Sequence, residues 1–265
     1  MKVSNFMVNY IETKKQFEFL EVQNGIPKVI WCYWAGGPMN PARTKSFELL
    51  VANIGVTICL VNKENVRTFV LAKNPLHPAF EYLSAVHQSD YLRAYFLHNY
   101  GGGWHDVKAT MVSFEKVWDY FSDPNTFLVG KPELKGGPAT VLDSDGRWMP
   151  DYWQELVSTV AWVGRPNTPF SNALLKNMET HLDLNFESLK QNPGIHPREK
   201  KLEAKGLLSK ILKTIDFRLK GKNPDYPLQW TFFGNFFHPL NYKYKNHVLN
   251  LLPVDEVKNA GIYHR

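Results

Sequence analysis

The sequence of 265 residues contains only two cysteines and no long apolar segment. Cys32 and Cys59 each lie in an apolar run, where an unpaired cysteine behaves as a small hydrophobic residue, so neither a disulfide framework nor a cysteine zinc site is expected. No window approaches the roughly 20 apolar residues that a membrane-spanning helix needs. The first residues mix polar and apolar types and lack the hydrophobic region of a signal peptide. We therefore expect a cytoplasmic protein whose only membrane contact is peripheral, at the inner membrane face.

Low-complexity stretches, internal repeats and an evident linker are also missing, and a hydrophobic content of 44% suffices for a sizeable core. We therefore expect one domain over residues 1–265. The net charge of +6 suits nucleic acid, an anionic membrane or a phosphorylated substrate, and its sign alone does not choose between them. The chain has none of the signatures of known RNA-binding or DNA-binding modules, so no nucleic-acid partner is expected.

Alternating apolar strands and helices predict an α/β fold. Residues 27–34 read as a buried strand that stops at a Gly-Gly-Pro turn. The elements predicted after it are helices at 41–53, 63–73, 78–100 and 170–184, and strands at 56–61, 104–108, 126–129 and 157–163. This alternation is typical of a Rossmann-like sheet with parallel strands. No Gly-x-Gly-x-x-Gly follows the first strand, which disfavours a dinucleotide-binding fold of the dehydrogenase type.

The predicted helix at 78–100 carries two charges on a stripe that is otherwise apolar. Leu83, Val86, Asp90, Arg93 and Leu97 share this stripe at helical spacing. Burying charge is costly unless the charge is paired or binds a ligand. Asp90 and Arg93 therefore form either an internal ion pair or part of a binding site.

A glycine run at 101–103 ends this helix and leads into Trp-His-Asp-Val-Lys at 104–108. If these residues form a strand, Trp104, Asp106 and Lys108 share one face. A carboxylate and a cation then point together from a strand end, which suits a ribose hydroxyl beside a diphosphate. The alternative is a surface ion pair at the edge of a loop.

Three segments together resemble a known family. They are residues 26–36 (Ile-Pro-Lys-Val-Ile-Trp-Cys-Tyr-Trp-Ala-Gly), 89–93 (Ser-Asp-Tyr-Leu-Arg) and 101–106 (Gly-Gly-Gly-Trp-His-Asp). Their order and separations look like the capsular polysaccharide synthesis family of DXD-type glycosyltransferases, which is more distantly similar to the yeast mannosyltransferase and clostridial toxin glucosyltransferase lineages. The resemblance covers residues 25–112. It implies a GT-A fold, an α/β Rossmann-like domain with a mostly parallel central sheet, a nucleotide-sugar-binding core at 25–130 and added helices on the acceptor side.

The resemblance also implies an activity, that of a glycosyltransferase of the hexosyltransferase type. The donor is a nucleotide sugar, expected to be a UDP-sugar, and the acceptor is a hydroxyl of a capsule, O-antigen, lipopolysaccharide-type or lipid-linked saccharide. Retention of the anomeric configuration is expected. Two alternatives stay open: a protein that binds a sugar nucleotide without turnover, and a basic nucleic-acid-binding protein.

The family pattern assigns roles to single residues. Trp34 stacks on the nucleotide base, Asp90 and Arg93 bind hydroxyls of the donor sugar, and Asp106 meets the ribose or an ion near the diphosphate. Gly102 is also assigned to donor binding. For Trp34 the alternative is an ordinary core residue.

The chain departs from the family at Asp106-Val107-Lys108, where many relatives have Asp-x-Asp. The second carboxylate commonly ligates Mn²⁺ or Mg²⁺, so Lys108 puts a divalent cofactor in doubt. We expect Lys108 to act with Asp106 in catalysis by contacting phosphate oxygens, the alternative being a lysine that turns outward. Asp106 and His264 are the candidate metal ligands, because relatives place C-terminal polar residues near the diphosphate. For His264 the alternative is a frayed terminus.

The basic excess is concentrated in the segment 185–230, where nine Lys or Arg face three acidic residues between positions 196 and 222. Within it, apolar residues recur at helical spacing among the lysines, as in an amphipathic helix at a membrane surface. They are Leu208, Ile211, Leu212, Ile215 and Leu219. The segment is expected to face the acceptor or an anionic membrane, and the alternative is an ordinary helix packed on the domain.

Overall fold

The computed structural model describes residues 10–133 and 155–253, which form an α/β structure around a seven-stranded sheet. The strands of this sheet are β1 (Tyr10–Ile11), β4 (Val29–Trp34), β5 (Thr57–Asn62), β6 (Gly102–His105), β7 (Leu128–Pro132), β8 (Val157–Gly164) and β9 (Val248–Leu249), and β2 (Val22–Gln23) pairs separately with β3 (Ile26–Pro27). The helices are α1 (Lys14–Phe17), α2 (Pro41–Asn53), α3 (Ala85–Asn99), α4 (Pro169–Gln191), α5 (Leu207–Leu219) and α6 (Phe232–Lys243).

The strand order is β1-β5-β4-β6-β8-β7-β9, and most neighbouring pairs are parallel. Only β8 runs antiparallel to its two neighbours. The predicted α/β fold with a mostly parallel central sheet is confirmed. From β4 the chain forms β5 on one side, and it then crosses through α3 to form β6 on the other side of β4. The strand order thus reverses at β4, and ligands of open α/β sheets bind at such a switch point, beyond the carboxyl ends of the strands.

Both faces of β4 are buried, because its side chains alternate between two hydrophobic clusters. Trp31 faces α3, where its ring stacks on Phe96 with 4.4 Å between centroids. Ile30 and Cys32 face α2 on the opposite side. Cys32 and Cys59 are buried and unpaired, as the sequence predicts.

The helix predicted at 78–100 is in fact two elements, a 3₁₀ turn at Pro78–Tyr82 followed by α3. Ser84 separates them because its hydroxyl accepts a hydrogen bond from the N–H of His87 and caps α3. Leu83 therefore precedes the helix and does not belong to the stripe that contains Asp90. This interruption was missed because the apolar pattern runs on through the cap.

Other boundaries also differ from the prediction. The helix predicted at 63–73 is only a 3₁₀ turn at Val66–Phe69, and the one predicted at 170–184 extends to Gln191 in α4. The strand predicted at 104–108 ends at His105, because the N–H of Lys108 turns back to the carbonyl oxygen of Asp106 at 2.6 Å. Among the residues that the structure describes, no helix has both the length and the hydropathy that crossing a bilayer requires.

Gly102→Ala should destabilise the fold strongly. Gly102 has a φ of +87°, and a Cβ there would lie 2.7 Å from Cγ1 and 3.0 Å from the carbonyl oxygen of the buried Val29. Because this φ is strained for alanine and the space is filled, we expect a loss of about 3 kcal/mol in the free energy of unfolding, measured by urea denaturation. Gly37→Ala is the control, since a Cβ there meets no atom within 4 Å. Equal effects of the two substitutions would contradict the packing described here.

Candidate functional site

A cavity of about 400 Å³ opens at the switch point of the sheet. Trp34 is the last residue of β4, and Asp106 directly follows β6, the neighbouring parallel strand. The residues that line this cavity include Trp34, Asp90, Arg93, Asp106 and Lys108. The structure therefore brings together five of the residues that the sequence predicts for donor binding and catalysis.

Arg93 is the centre of the polar network in this cavity. Its Nη2 donates a hydrogen bond to Oδ1 of Asp106 at 2.8 Å, and its Nη1 donates to the carbonyl oxygen of Thr159 in β8 at 3.2 Å. Nη1 also lies 3.5 Å from Oδ1 of Asp90, one helical turn earlier. Two carboxylates thus compensate the charge of this buried guanidinium, whereas its Nε is buried and has no hydrogen-bond partner.

Aromatic rings hold the Arg93 guanidinium from two directions. Its central carbon lies 5.2 Å from the ring centroid of Trp104 and 5.3 Å from that of Phe233. These are cation–π distances, and the interaction is strongest where water is excluded. Trp104 comes from β6 and Phe233 from the first turn of α6, so the network joins three separate elements.

Asp90 is 5% exposed, and its burial raises the pKa of the carboxyl to about 7. The charge of Arg93 and the N–H of Phe233 lower this pKa, whereas the neighbouring Asp106 raises it further. The sequence left open whether Asp90 and Arg93 form an ion pair or a binding site. The structure shows the ion pair and also places both side chains in the lining of the cavity, so the binding role stays a prediction.

The pKa of the Asp106 carboxyl is shifted in the opposite direction from that of Asp90. Burial raises the pKa of its carboxyl, but the charges of Arg93 and Lys108 outweigh burial and hold the pKa at about 2. The Nζ of Lys108 lies 3.1 Å from Oδ2 of Asp106. Lys108 therefore turns into the cavity and not outward. At neutral pH the site contains one carboxylate that stays ionised and a second, Asp90, that is poised to gain or lose a proton.

The carboxylate of Asp106 does not offer a divalent cation a ready position. One of its oxygens accepts from Arg93 and the other contacts the ammonium of Lys108, which a cation would have to displace. Over residues 10–133 and 155–253, no three His, Cys, Asp or Glu side chains come close enough to hold a metal ion. The described residues thus do not fit a divalent-metal site at Asp106. His264, the other candidate ligand, lies outside the described residues.

Sequence reasoning missed several cavity residues, of which Arg43 is the most instructive. Its Nη1 donates to the carbonyl oxygen of Val107 at 2.6 Å, and its guanidinium carbon lies 5.2 Å from the ring centroid of Trp34. Arg43 lies in the first turn of α2, where a cation opposes the helix dipole. That unfavourable position is the signal that could have identified it.

Arg198 and Trp230 also line the cavity, although both lie far beyond the predicted core at 25–130. No local pattern connects them to Asp106, because their approach depends on the packing of the whole C-terminal half. Gly102, by contrast, does not line the cavity. It lies at the opposite end of β6 from Asp106, where its contact with Val29 accounts for the glycine.

Comparisons with known proteins agree with the sequence resemblance at the level of the family. The model of the family described as "Capsular polysaccharide synthesis protein" matches residues 2–181. No curated protein matches the sequence significantly. The solved structure titled "PaToxG Glycosyltransferase" is similar to 62% of this chain at 15% identity, with a TM-score of 0.33. The chain spans 63% of that structure, and a similarity this distant does not indicate a function.

The raised pKa of Asp90 predicts how stability depends on pH. Between pH 3.8 and about 7 the folded protein keeps a proton that the unfolded chain releases, so this carboxyl lowers the free energy of unfolding as pH rises. Asp90→Asn removes the effect. The difference in unfolding free energy, variant minus wild type, should therefore rise through this window by at most about 1.4 kcal/mol per pH unit and then level off.

Urea denaturation at several pH values measures this difference. His87, whose pKa burial lowers to about 4, titrates in both proteins and cancels. Asp225→Asn, at an exposed aspartate, is the control, and the rise should be larger for Asp90→Asn than for this control. A flat difference for Asp90→Asn would contradict the burial of an uncharged Asp90.

Proposed function

The chain belongs to the capsular polysaccharide synthesis protein family, and we propose that it is a glycosyltransferase that uses a nucleotide sugar. The observation that carries the proposal is the convergence of Trp34, Asp90, Arg93, Asp106 and Lys108 on one cavity at the switch point of the sheet. A cavity of about 400 Å³ with an aromatic edge and a few convergent charges is typical of a small-molecule site.

In this proposal the donor is a UDP-sugar and the fold is of the GT-A type. Trp34, half-buried at the end of β4, stacks on the base, and Asp106, ionised at any physiological pH, accepts from a ribose hydroxyl. Asp90 and Arg93 bind hydroxyls of the sugar. A carboxyl with a pKa of about 7 supports this role, because it can donate to one hydroxyl and accept from another.

Leaving-group stabilisation is the main chemical demand of the proposed reaction. When the sugar departs, negative charge develops on the β-phosphate, and cations already fixed in place stabilise it without reorganisation. Lys108, Arg43 and Arg198 all line the cavity. In this proposal the ammonium of Lys108, which has three N–H donors, keeps its contact with Asp106 and donates another N–H to a phosphate oxygen, and transfer depends little or not at all on a divalent ion.

The acceptor in this proposal is a hydroxyl of a capsule, O-antigen or lipopolysaccharide-type saccharide, free or lipid-linked. It enters from the side of α6 and the segment 185–230, since Arg198 and Trp230 border the cavity there. Transfer proceeds with retention, by positioning and electrostatics and without a strong general base. We place the reaction in the cytoplasm, as expected from the sequence.

A second function is favoured by the pairing of both Asp106 oxygens with cations: a protein that binds a sugar nucleotide without turning it over. Donor hydrolysis or sugar transfer by the purified protein, after a thermal-shift panel of UDP, GDP and CMP sugars has identified the nucleotide, separates the two functions. Stabilisation by a nucleotide sugar without either reaction would favour the second.

Asp90→Asn should separate chemistry from nucleotide binding. We expect transfer, measured as kcat/KM, to fall by about 100-fold or more, because the amide has one acceptor oxygen where the carboxyl has two and cannot carry the charge that pairs with Arg93. Binding of UDP, measured by calorimetry, should stay within about tenfold, since the nucleotide does not contact this residue. Asp225→Asn is the control for both measurements, and wild-type transfer by Asp90→Asn would remove the sugar-binding assignment.

Lys108 and a divalent ion are alternative means of neutralising the phosphate charge, and one sugar-transfer assay tests which of them acts. We expect wild-type activity to persist in EDTA and Lys108→Ala to lose about 100-fold in kcat, a typical effect for one charge aimed at a leaving group. Lys108→Asp should gain a response to Mn²⁺ that the wild type lacks. Full loss of wild-type activity in EDTA, together with an unimpaired Lys108→Ala enzyme, would show that the ion and not Lys108 neutralises the phosphate.

A further inference from the structure

Helix α5 (Leu207–Leu219) is oriented the opposite way from an ordinary amphipathic helix. Its apolar residues are 48–83% exposed, and they are Leu207, Leu208, Ile211, Leu212, Ile215 and Leu219, here called the outer face. Phe217 is the residue of α5 that is buried, at 7% exposure. At 3.6 residues per turn the outer face spans an arc of about 140° on the side opposite Phe217. The leucines and isoleucines of α5 therefore face outward, on the side away from its one buried residue.

An exposed apolar surface such as the outer face is expected to bind a partner. Amphipathic helices of soluble domains normally turn their apolar stripe toward the core, and a contiguous exposed apolar patch marks an interaction site. The sequence pattern predicted the stripe, but only the structure shows on which side of the helix the protein lies.

The charges around the outer face identify the kind of partner. Lys210, Lys213 and Arg218 of α5 and Lys220 at its C-cap are exposed; Lys213 donates to the carbonyl oxygen of Glu203 at 2.6 Å, and Lys220 pairs with Asp216, the one acidic residue of α5, at 2.8 Å. Arg218 within the outer face and Lys210 and Lys220 beyond its two edges are here called the basic rim. Cations beside an apolar face are complementary to an anionic lipid surface, where each cation adds to binding. A second copy of the chain fits less well, because two identical outer faces would bring their basic rims together.

The segment 199–228, which contains α5, is closed by hydrogen bonds where it leaves and rejoins the domain, next to the cavity. The buried carboxylate of Glu199 accepts from the N–H groups of His196 and Asn223, both at 2.9 Å. One step further, the N–H of Lys201 donates to the carbonyl oxygen of Leu228 at 2.7 Å. Arg198, which precedes this segment, and Trp230, which follows it, line the cavity. These hydrogen bonds hold together, next to the cavity, the two ends of the segment that contains α5.

We propose that α5 is an interfacial helix that inserts its outer face into an anionic membrane surface. The membrane then lies beside the edge of the cavity that Arg198 and Trp230 form. If the proposed glycosyltransferase activity is correct, on which this last step rests, the acceptor is a lipid-linked saccharide that reaches the cavity from that membrane.

Vesicle co-sedimentation of the full chain tests the proposal with two sets of variants. The outer-face variant is Leu208→Gln, Leu212→Gln and Ile215→Gln together, and its control changes three exposed apolar residues elsewhere, Val22→Gln, Leu184→Gln and Leu251→Gln. The rim variant is Arg218→Gln with Lys220→Gln, and its control, with the same change in net charge, is Lys45→Gln with Lys116→Gln. All these positions are exposed, so the fold is expected to survive, and thermal unfolding checks it.

We expect binding to vesicles of phosphatidylglycerol and phosphatidylcholine in equal parts, and little binding to phosphatidylcholine alone. Each of the two α5 variants should lose about tenfold or more in vesicle affinity while its control stays near wild type. Raising the ionic strength to about 0.5 M should abolish the difference between the rim variant and wild type.

Several results would overturn the proposal: no binding of the wild type to anionic vesicles at low salt, equal loss in the controls, or equal binding to neutral vesicles. A wild-type dimer in sedimentation velocity that the outer-face variant dissociates, without vesicle binding, would assign the face to a second copy instead. UDP binding is measured on the same samples. Vesicle binding without UDP binding would count against the proposed function alone, because none of the changed residues lines the cavity.

Discussion

The buried charge of Arg93 is the constraint on which the cavity depends. A guanidinium cannot lose its proton in a protein, so its burial must be compensated by acceptors and aromatic faces. Asp90, Asp106, the carbonyl oxygen of Thr159 and the ring of Phe233 supply that compensation, and they come from α3, the end of β6, β8 and α6. The same network sets the two carboxyl pKa values apart: burial raises both, but the charges of Arg93 and Lys108 together outweigh it at Asp106, whereas Arg93 is the one cation that offsets it at Asp90.

The sheet explains why this network faces a cavity and not a packed core. Two parallel strands, β4 and β6, end side by side at the point where the strand order reverses, so within the described part of the chain no crossover helix covers the gap beyond them. Close packing of β6 on β4 depends on glycine at Gly102 and Gly103, where a Cβ would meet Val29 and Ile30. The close packing of these glycines on β4 thus fixes the position of Asp106, which follows the other end of β6.

Sequence reasoning found the local features well. α2 has the predicted bounds because Asn40 caps it and Pro41 suits its first turn. Asp90 and Arg93 could be found because charges on an apolar stripe need an explanation. What it missed depends on contacts between distant parts of the chain: Arg198 and Trp230 reach the cavity only after the C-terminal half has folded. The apolar stripe of α5 was predictable, but its outward direction was not, since periodicity does not say which side of a helix the core lies on.

Backbone hydrogen exchange with and without saturating UDP shows whether the cavity around Arg93 binds a nucleotide. Binding there should concentrate the protection at residues 33–43, 104–108 and 230–234, which border the cavity from three directions. Protection confined to a second cavity, of about 480 Å³ between residues 73–78 and α4, or no protection by UDP, GDP or CMP, would contradict nucleotide binding around Arg93.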